Sequence, residues 1–74
     1  MTRDTTPSSA FSVTARWRGD HRHYRLSPNG EPCGRFHALV TRDRGAAQRW
    51  AEKVGTDPEI LSVRVIDANT GRIV

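Results

Sequence analysis

The sequence predicts an α+β domain: a mainly antiparallel sheet of three to five strands with one helix packed on one face, in the order β-β-β-α-β. Three observations predict it. Residues 11–27, FSVTARWRGDHRHYRLS, alternate apolar and polar on both sides of a glycine-led pair. Residues 46–54 change to helical spacing, and residues 60–67 return to alternation.

The alternating stretch reads as a β-hairpin turning at Gly19-Asp20, because glycine tolerates the positive φ that tight hairpin turns demand. Counting back from that pair sets Trp17 opposite Arg22, Ala15 opposite Tyr24 and Val13 opposite Leu26. Successive side chains point to opposite sides of a strand. One side therefore carries Phe11, Val13, Ala15, Trp17, Tyr24 and Leu26, and the other carries Ser12, Thr14, Arg16, Arg18, His21, His23 and Arg25. Both strands sort independently and the two sorts agree.

Residues 28–34, PNGEPCG, are turn-formers and read as a loop. Alternation resumes at Arg35, which predicts a third strand with Phe36, Ala38 and Val40 on one side and Arg35, His37, Leu39 and Thr41 on the other. Ala46, Ala47, Trp50, Ala51 and Val54 then recur at helical spacing. Thr41 or Asp43 suits the N-cap, and Gly55 followed by Asp57-Pro58 suits the stop, with the glycine in a left-handed conformation. Ile60 to Asp67 forms a fourth strand with Leu61, Val63 and Val65 inward and Ser62, Arg64 and Ile66 outward. Asn69-Thr70-Gly71 is a turn, after which Arg72-Ile73-Val74 is a candidate for a short returning strand. Residues 1–9, MTRDTTPSS, are polar and aperiodic and read as a disordered tail, leaving 10–74 as a single domain.

The chain has 74 residues, one cysteine and a net charge of +4. So short a chain holds a single small core. Cys33 has no partner for an internal disulfide, which points to a reducing cytoplasm, and neither a signal peptide nor a membrane-spanning run is recognisable. Lys53 is the single lysine among the twelve basic residues. Arginine's planar fork suits phosphate and carboxylate, although a GC-rich genome enriches arginine through codon usage alone. Positive charge concentrates in residues 1–49: nine arginines against four acids give +5, whereas residues 50–74 carry three basic and four acidic residues, or −1.

The face opposite the helix is therefore the candidate site. Arg16, Arg18, Arg25 and Arg35, with His23 and His37, are positioned to neutralise phosphates of duplex nucleic acid. Trp17 and Tyr24 sort to the core side, which favours duplex or backbone recognition over base stacking. The competing function is a protein-interaction module, a host-protein inhibitor or a homodimer, docking through a sheet edge or through the outer face, where Leu39 and Ile66 form an apolar patch beside Arg64. His21, His23, Cys33 and His37 match no common zinc spacing. Cys33 and His37 lack an orienting residue or oxyanion-hole motif, so no enzyme, metal, cofactor or small-molecule substrate is expected.

Two resemblances add to this reading. Thr41 through Ala47, Trp50 and Ala51, ending in Val65-Ile66-Asp67-Ala68-Asn69-Thr70-Gly71-Arg72-Ile73-Val74, resembles small actinobacterial and actinophage proteins of uncharacterised function. Those combine a threonine-capped helix bearing Ala-x-x-Trp-Ala with a strand closing in Asp-x-x-Thr-Gly-x-Ile/Val-Val. This resemblance covers the carboxy-terminal half and implies a fold. The order of three strands then a helix is similar to the arm-binding domains of tyrosine-family phage integrases, which lay a sheet in the major groove. A longer 28–34 loop and a fourth strand depart from that pattern. Together these imply a phage or mobile-element origin, and a fold does not fix a function; the residues themselves are read as a small non-enzymatic binding protein, monomer or homodimer.

Overall fold

In the computed structural model, residues 10–74 are described, and the predicted tail at 1–9 lies outside them. The strands are β1 (Phe11–Trp17), β2 (Tyr24–Leu26), β3 (Pro32–Cys33) and β4 (Ile60–Asp67), and the helix is α1 (Arg44–Val54). They form one open antiparallel sheet in the order β3-β2-β1-β4. The helix lies on one face of that sheet, as the α+β expectation requires.

The first hairpin keeps the counted register, with Ala15 opposite Tyr24 and Thr14 opposite Arg25. Its connection is wider than predicted. The tight turn is centred on Arg18-Gly19, with Gly19 at φ 85° and the Asp20 N–H donating to the Trp17 carbonyl at 3.0 Å. Beyond Ala15 the end of β1 pairs with β4, and the Arg18 N–H donates to Glu59 at 2.8 Å. Residues 18–23 are thereby drawn into a loop rather than a two-residue reversal.

Two further corrections concern the middle of the chain. The predicted strand at 35–41 is a 3₁₀ turn, Arg35–His37, followed by an extended segment. In that segment Leu39 donates to the Leu26 carbonyl, while Thr41 exchanges both backbone bonds with Phe11. The third strand is instead Pro32–Cys33, inside the stretch read as loop. Ser27 and Gly30 organise that reversal: Gly30 sits at φ 84°, and the Ser27 hydroxyl accepts from the N–H groups of Asn29 and Glu31 at 3.3 Å each. With the outer edge of β2 taken by β3, the 35–41 segment is left only the end of β1 that β2 does not reach, where Thr41 forms a single bridge to Phe11. Phe36, predicted inward, is 94% exposed.

The helix begins as expected: the Asp43 carboxylate accepts from the Ala46 N–H at 3.2 Å. It ends differently. Gly55 has φ −65°, and successive short-range bonds from Thr56 to Lys53 and from Asp57 to Val54 satisfy the last carbonyls, so no left-handed reversal is needed. Val13, Ala15, Leu26 and Ala47 are the buried core, and Trp17, Trp50, Val54, Ile60, Val63 and Val65 pack around them. Leu61, predicted inward, is 46% exposed. A bulge explains it: Arg16 faces Ser62 while Trp17 faces Ile60, so Leu61 is the unpaired extra residue and Ile60 takes the inward place.

The chain closes in a hairpin. The Asp67 carboxylate accepts from Asn69 and Thr70, Gly71 takes φ 78°, and Ile73 bridges Ile66. The returning segment therefore extends the β4 edge.

Candidate functional site: the outer sheet face

Residues opposite one another in a ladder share a face, so the register assembles the outer surface directly. One row across the sheet is Cys33, Arg25, Thr14 and Arg64. A second joins Arg16 to Ser62, with His23 reaching over from the β2 side to place Nε2 at 3.2 Å from the Ser62 hydroxyl. A third joins Ser12 to Ile66.

The guanidiniums on this face are held by backbone carbonyls. Arg16 donates from Nη1 to Asp20 at 3.0 Å, and Arg25 donates from Nη1 to Ala68 at 3.1 Å. The Arg25 side chain starts on β2 and ends beside the far end of β4, so it crosses β1 over Ser12 and Thr14. Arg64 is exposed. Among the described residues the ion pair in range is Arg49 with Asp43 at 3.9 Å, on the helix. Neutral carbonyls therefore orient Arg16 and Arg25, Arg64 projects from the same face, and none of the three is neutralised by a carboxylate of the described residues.

Two neighbours register that field. Burial, then the charges of Arg64 and Arg16, push the His23 imidazole below the ordinary histidine value, so His23 is neutral at pH 7. Thr14 is 7% exposed, and its Oγ1 is buried with no hydrogen-bond partner, between Arg25 and Arg64. A buried hydroxyl without a partner costs free energy and marks a position where a function or an additional acceptor is expected. By contrast, the Ser12 hydroxyl donates to the Leu39 carbonyl at 2.7 Å.

The structure brings together Arg16, His23 and Arg25 of the expected basic set with Arg64, which the alternation of the fourth strand had already turned outward. Arg18 stands at the end of the sheet, its guanidinium donating to Pro58 at 3.3 Å. Arg35 and His37 are exposed on the 3₁₀ turn, off the sheet, because the strand expected to carry them is absent. The apolar patch expected at Leu39 and Ile66 does not form. Ile66 is 5% exposed, enclosed between Ser12 and the returning Ile73, and Leu39 is half-buried against the end of β2. Thr14 and Ser62 were legible as outward-facing positions from the alternation, but the orphaned hydroxyl required the crossing of Arg25. No group of three or more metal-ligating side chains occurs among the described residues, and no helix of the described residues is long and apolar enough to cross a membrane. No protein-family model, curated protein or solved structure matches the chain.

Proposed function

We propose that this chain is a non-enzymatic binding module that holds duplex nucleic acid by its phosphates against the outer sheet face. One observation carries the reading: Arg16, Arg25 and Arg64 are co-facial, and no carboxylate of the described residues pairs with them. His23 and Ser62 supply further hydrogen-bonding groups beside them, and Arg18, Arg35 and His37 lie outside the central cluster as peripheral contacts. Trp17 and Tyr24 are on the helix side, which disfavours a base-stacking mode. A phage or mobile-element origin rests on the sequence resemblances alone.

The test is fluorescence anisotropy of a labelled random duplex across a salt series. Contact with about three phosphates gives a log–log slope of about −2.7, and Arg64→Gln reduces that slope by about one. Absence of binding at low salt, or an unchanged slope in Arg64→Gln, rejects the proposal. Phe36, 94% exposed between Arg35 and His37, favours a second reading, docking of a protein partner at the 3₁₀ turn.

A further inference from the structure

The helix side of the sheet carries a second surface of opposite character. A cavity of about 530 Å³ opens there, lined by Trp17, Asp20, Tyr24, Gly30, Glu31 and Pro32. Its walls are aromatic: the Trp17 and Tyr24 rings stand with centroids 6.3 Å apart at 51°. Its rim is acidic, with Asp20 and Glu31 the ionisable side chains of the lining besides the Tyr24 phenol. In a chain of net charge +4 this is a local reversal of sign.

Both carboxylate-bearing residues are held by hydrogen-bonded turns. The Asp20 carboxylate accepts from the Arg22 N–H at 3.0 Å, and that bond, with others from Tyr24 and His21, holds its carboxyl below the usual range. Arg22 lies near enough to add a weaker stabilisation of the same carboxylate. Glu31 donates its N–H to the Ser27 hydroxyl, and its carbonyl accepts from the Ser27 N–H at 2.9 Å. The Asp20 carboxylate and the backbone of the Glu31 turn are thus fixed before binding, which lowers the cost of ordering the site.

We propose that this cavity binds a single cationic side chain, lysine or arginine, from a partner polypeptide. The charged head sits between Asp20 and Glu31, and its alkyl stem lies against Trp17 and Tyr24. Charge complementarity selects that occupant. An aromatic face attracts a cation through its quadrupole, and two flanking carboxylates add to the same sign of field. An anion is repelled by the carboxylates, and a neutral apolar side chain gains nothing from Glu31 or from the part of the Asp20 charge that Arg22 leaves unbalanced. The cavity opens on the other side of the sheet from Arg25 and Arg64, and its link to the basic face is the bond from the Arg16 guanidinium to the Asp20 carbonyl at 3.0 Å, which Asp20→Asn leaves in place.

The test is an NMR titration of the ¹⁵N-labelled full chain with the N-acetyl methylamides of lysine, arginine and norleucine. Lysine and arginine are expected to shift the Trp17 indole N–H and the Asp20 and Glu31 amides saturably, with affinities of about 1 mM. The norleucine compound, with the same stem and no charge, is expected to shift none of them. Asp20→Asn with Glu31→Gln should weaken the lysine probe at least about tenfold, matching the loss of both counter-charges. Equal shifts from norleucine, undiminished binding by the double variant, or shifts confined to other residues overturn the proposal. Because the norleucine comparison uses the unaltered protein, a variant that fails to fold does not decide the result.

Discussion

Thr14→Val is the most informative single change the outer face allows. Threonine and valine have nearly the same shape, both are β-branched, and both suit a strand. The substitution therefore removes the hydroxyl and little else. At 7% exposure, with Oγ1 unpartnered, the native hydroxyl has lost its water without gaining a replacement bond. Such a group costs about 1–3 kcal/mol, and the methyl that replaces it fills the same space. Part of the range is lost because Arg25, lying over this position, presents a polar head as well as an alkyl stem. A stabilisation of about 1–2 kcal/mol follows. For a domain of this length each kcal/mol raises Tm by about 4–8 °C. Thermal and urea unfolding followed by tryptophan fluorescence measures it, with Trp17 and Trp50 as reporters. A Thr14→Val variant less stable than the parent would mean that the hydroxyl is satisfied in the native fold and refute the orphaned group. Measured on the same variant, duplex binding separates two origins of the group. Because Oγ1 is buried in the free protein, it meets a phosphate only if Arg25 swings off it: weaker binding by the more stable protein would show that movement, whereas unchanged binding leaves the hydroxyl a packing defect.

Two further outcomes follow from the geometry. Ile66→Asp should unfold the domain rather than dissociate an oligomer, since a carboxylate placed at 5% exposure loses about 3 kcal/mol or more, whereas Leu61→Asp at the 46% exposed bulge should stay within about 0.5 kcal/mol of the parent; urea midpoints rank them, and the reverse order would displace the bulge. His23 titrates below the ordinary histidine value, so as pH falls from 7 the unfolded chain gains a proton before the native one does, and the free protein loses stability over that window. A phosphate beside His23 favours its charged form, so duplex affinity should rise several-fold between about pH 7 and pH 5.5. Anisotropy titrations of the parent and of His23→Gln check this, and an equal pH response in both would remove His23 from the interface.

The face assignments within β1 and β2 were legible because a regular strand has a side-chain period of two, whereas residues 18–23, counted onto the same faces, lie in a loop. Trp17 and Arg16 part onto opposite sides of the sheet through that period. The Asp43 cap and the Ala47, Trp50 and Ala51 stripe were legible on the same grounds, since capping and helical period are local. The 35–41 segment was misread because alternation also occurs in chain that merely runs alongside a sheet. Whether it becomes a strand depends on a free edge, and Pro32–Cys33 occupies that edge of β2. The Leu61 bulge arises from pairing with β1, which a single strand's sequence does not encode.

By itself, then, the sequence determined the α+β class, the helix and its cap, and the separation of arginines from the core across β1 and β2, because each follows from local periodicity and hydrogen-bonding chemistry. Tertiary structure alone decided that Arg35 and His37 leave the face that Arg16, Arg25 and Arg64 share, that Ile66 is enclosed, and that Asp20 and Glu31 meet at the Trp17–Tyr24 cavity. Those outcomes depend on which edges pair and on which side chains cross between strands, and these are set only when distant parts of the chain compete for the same hydrogen-bonding groups.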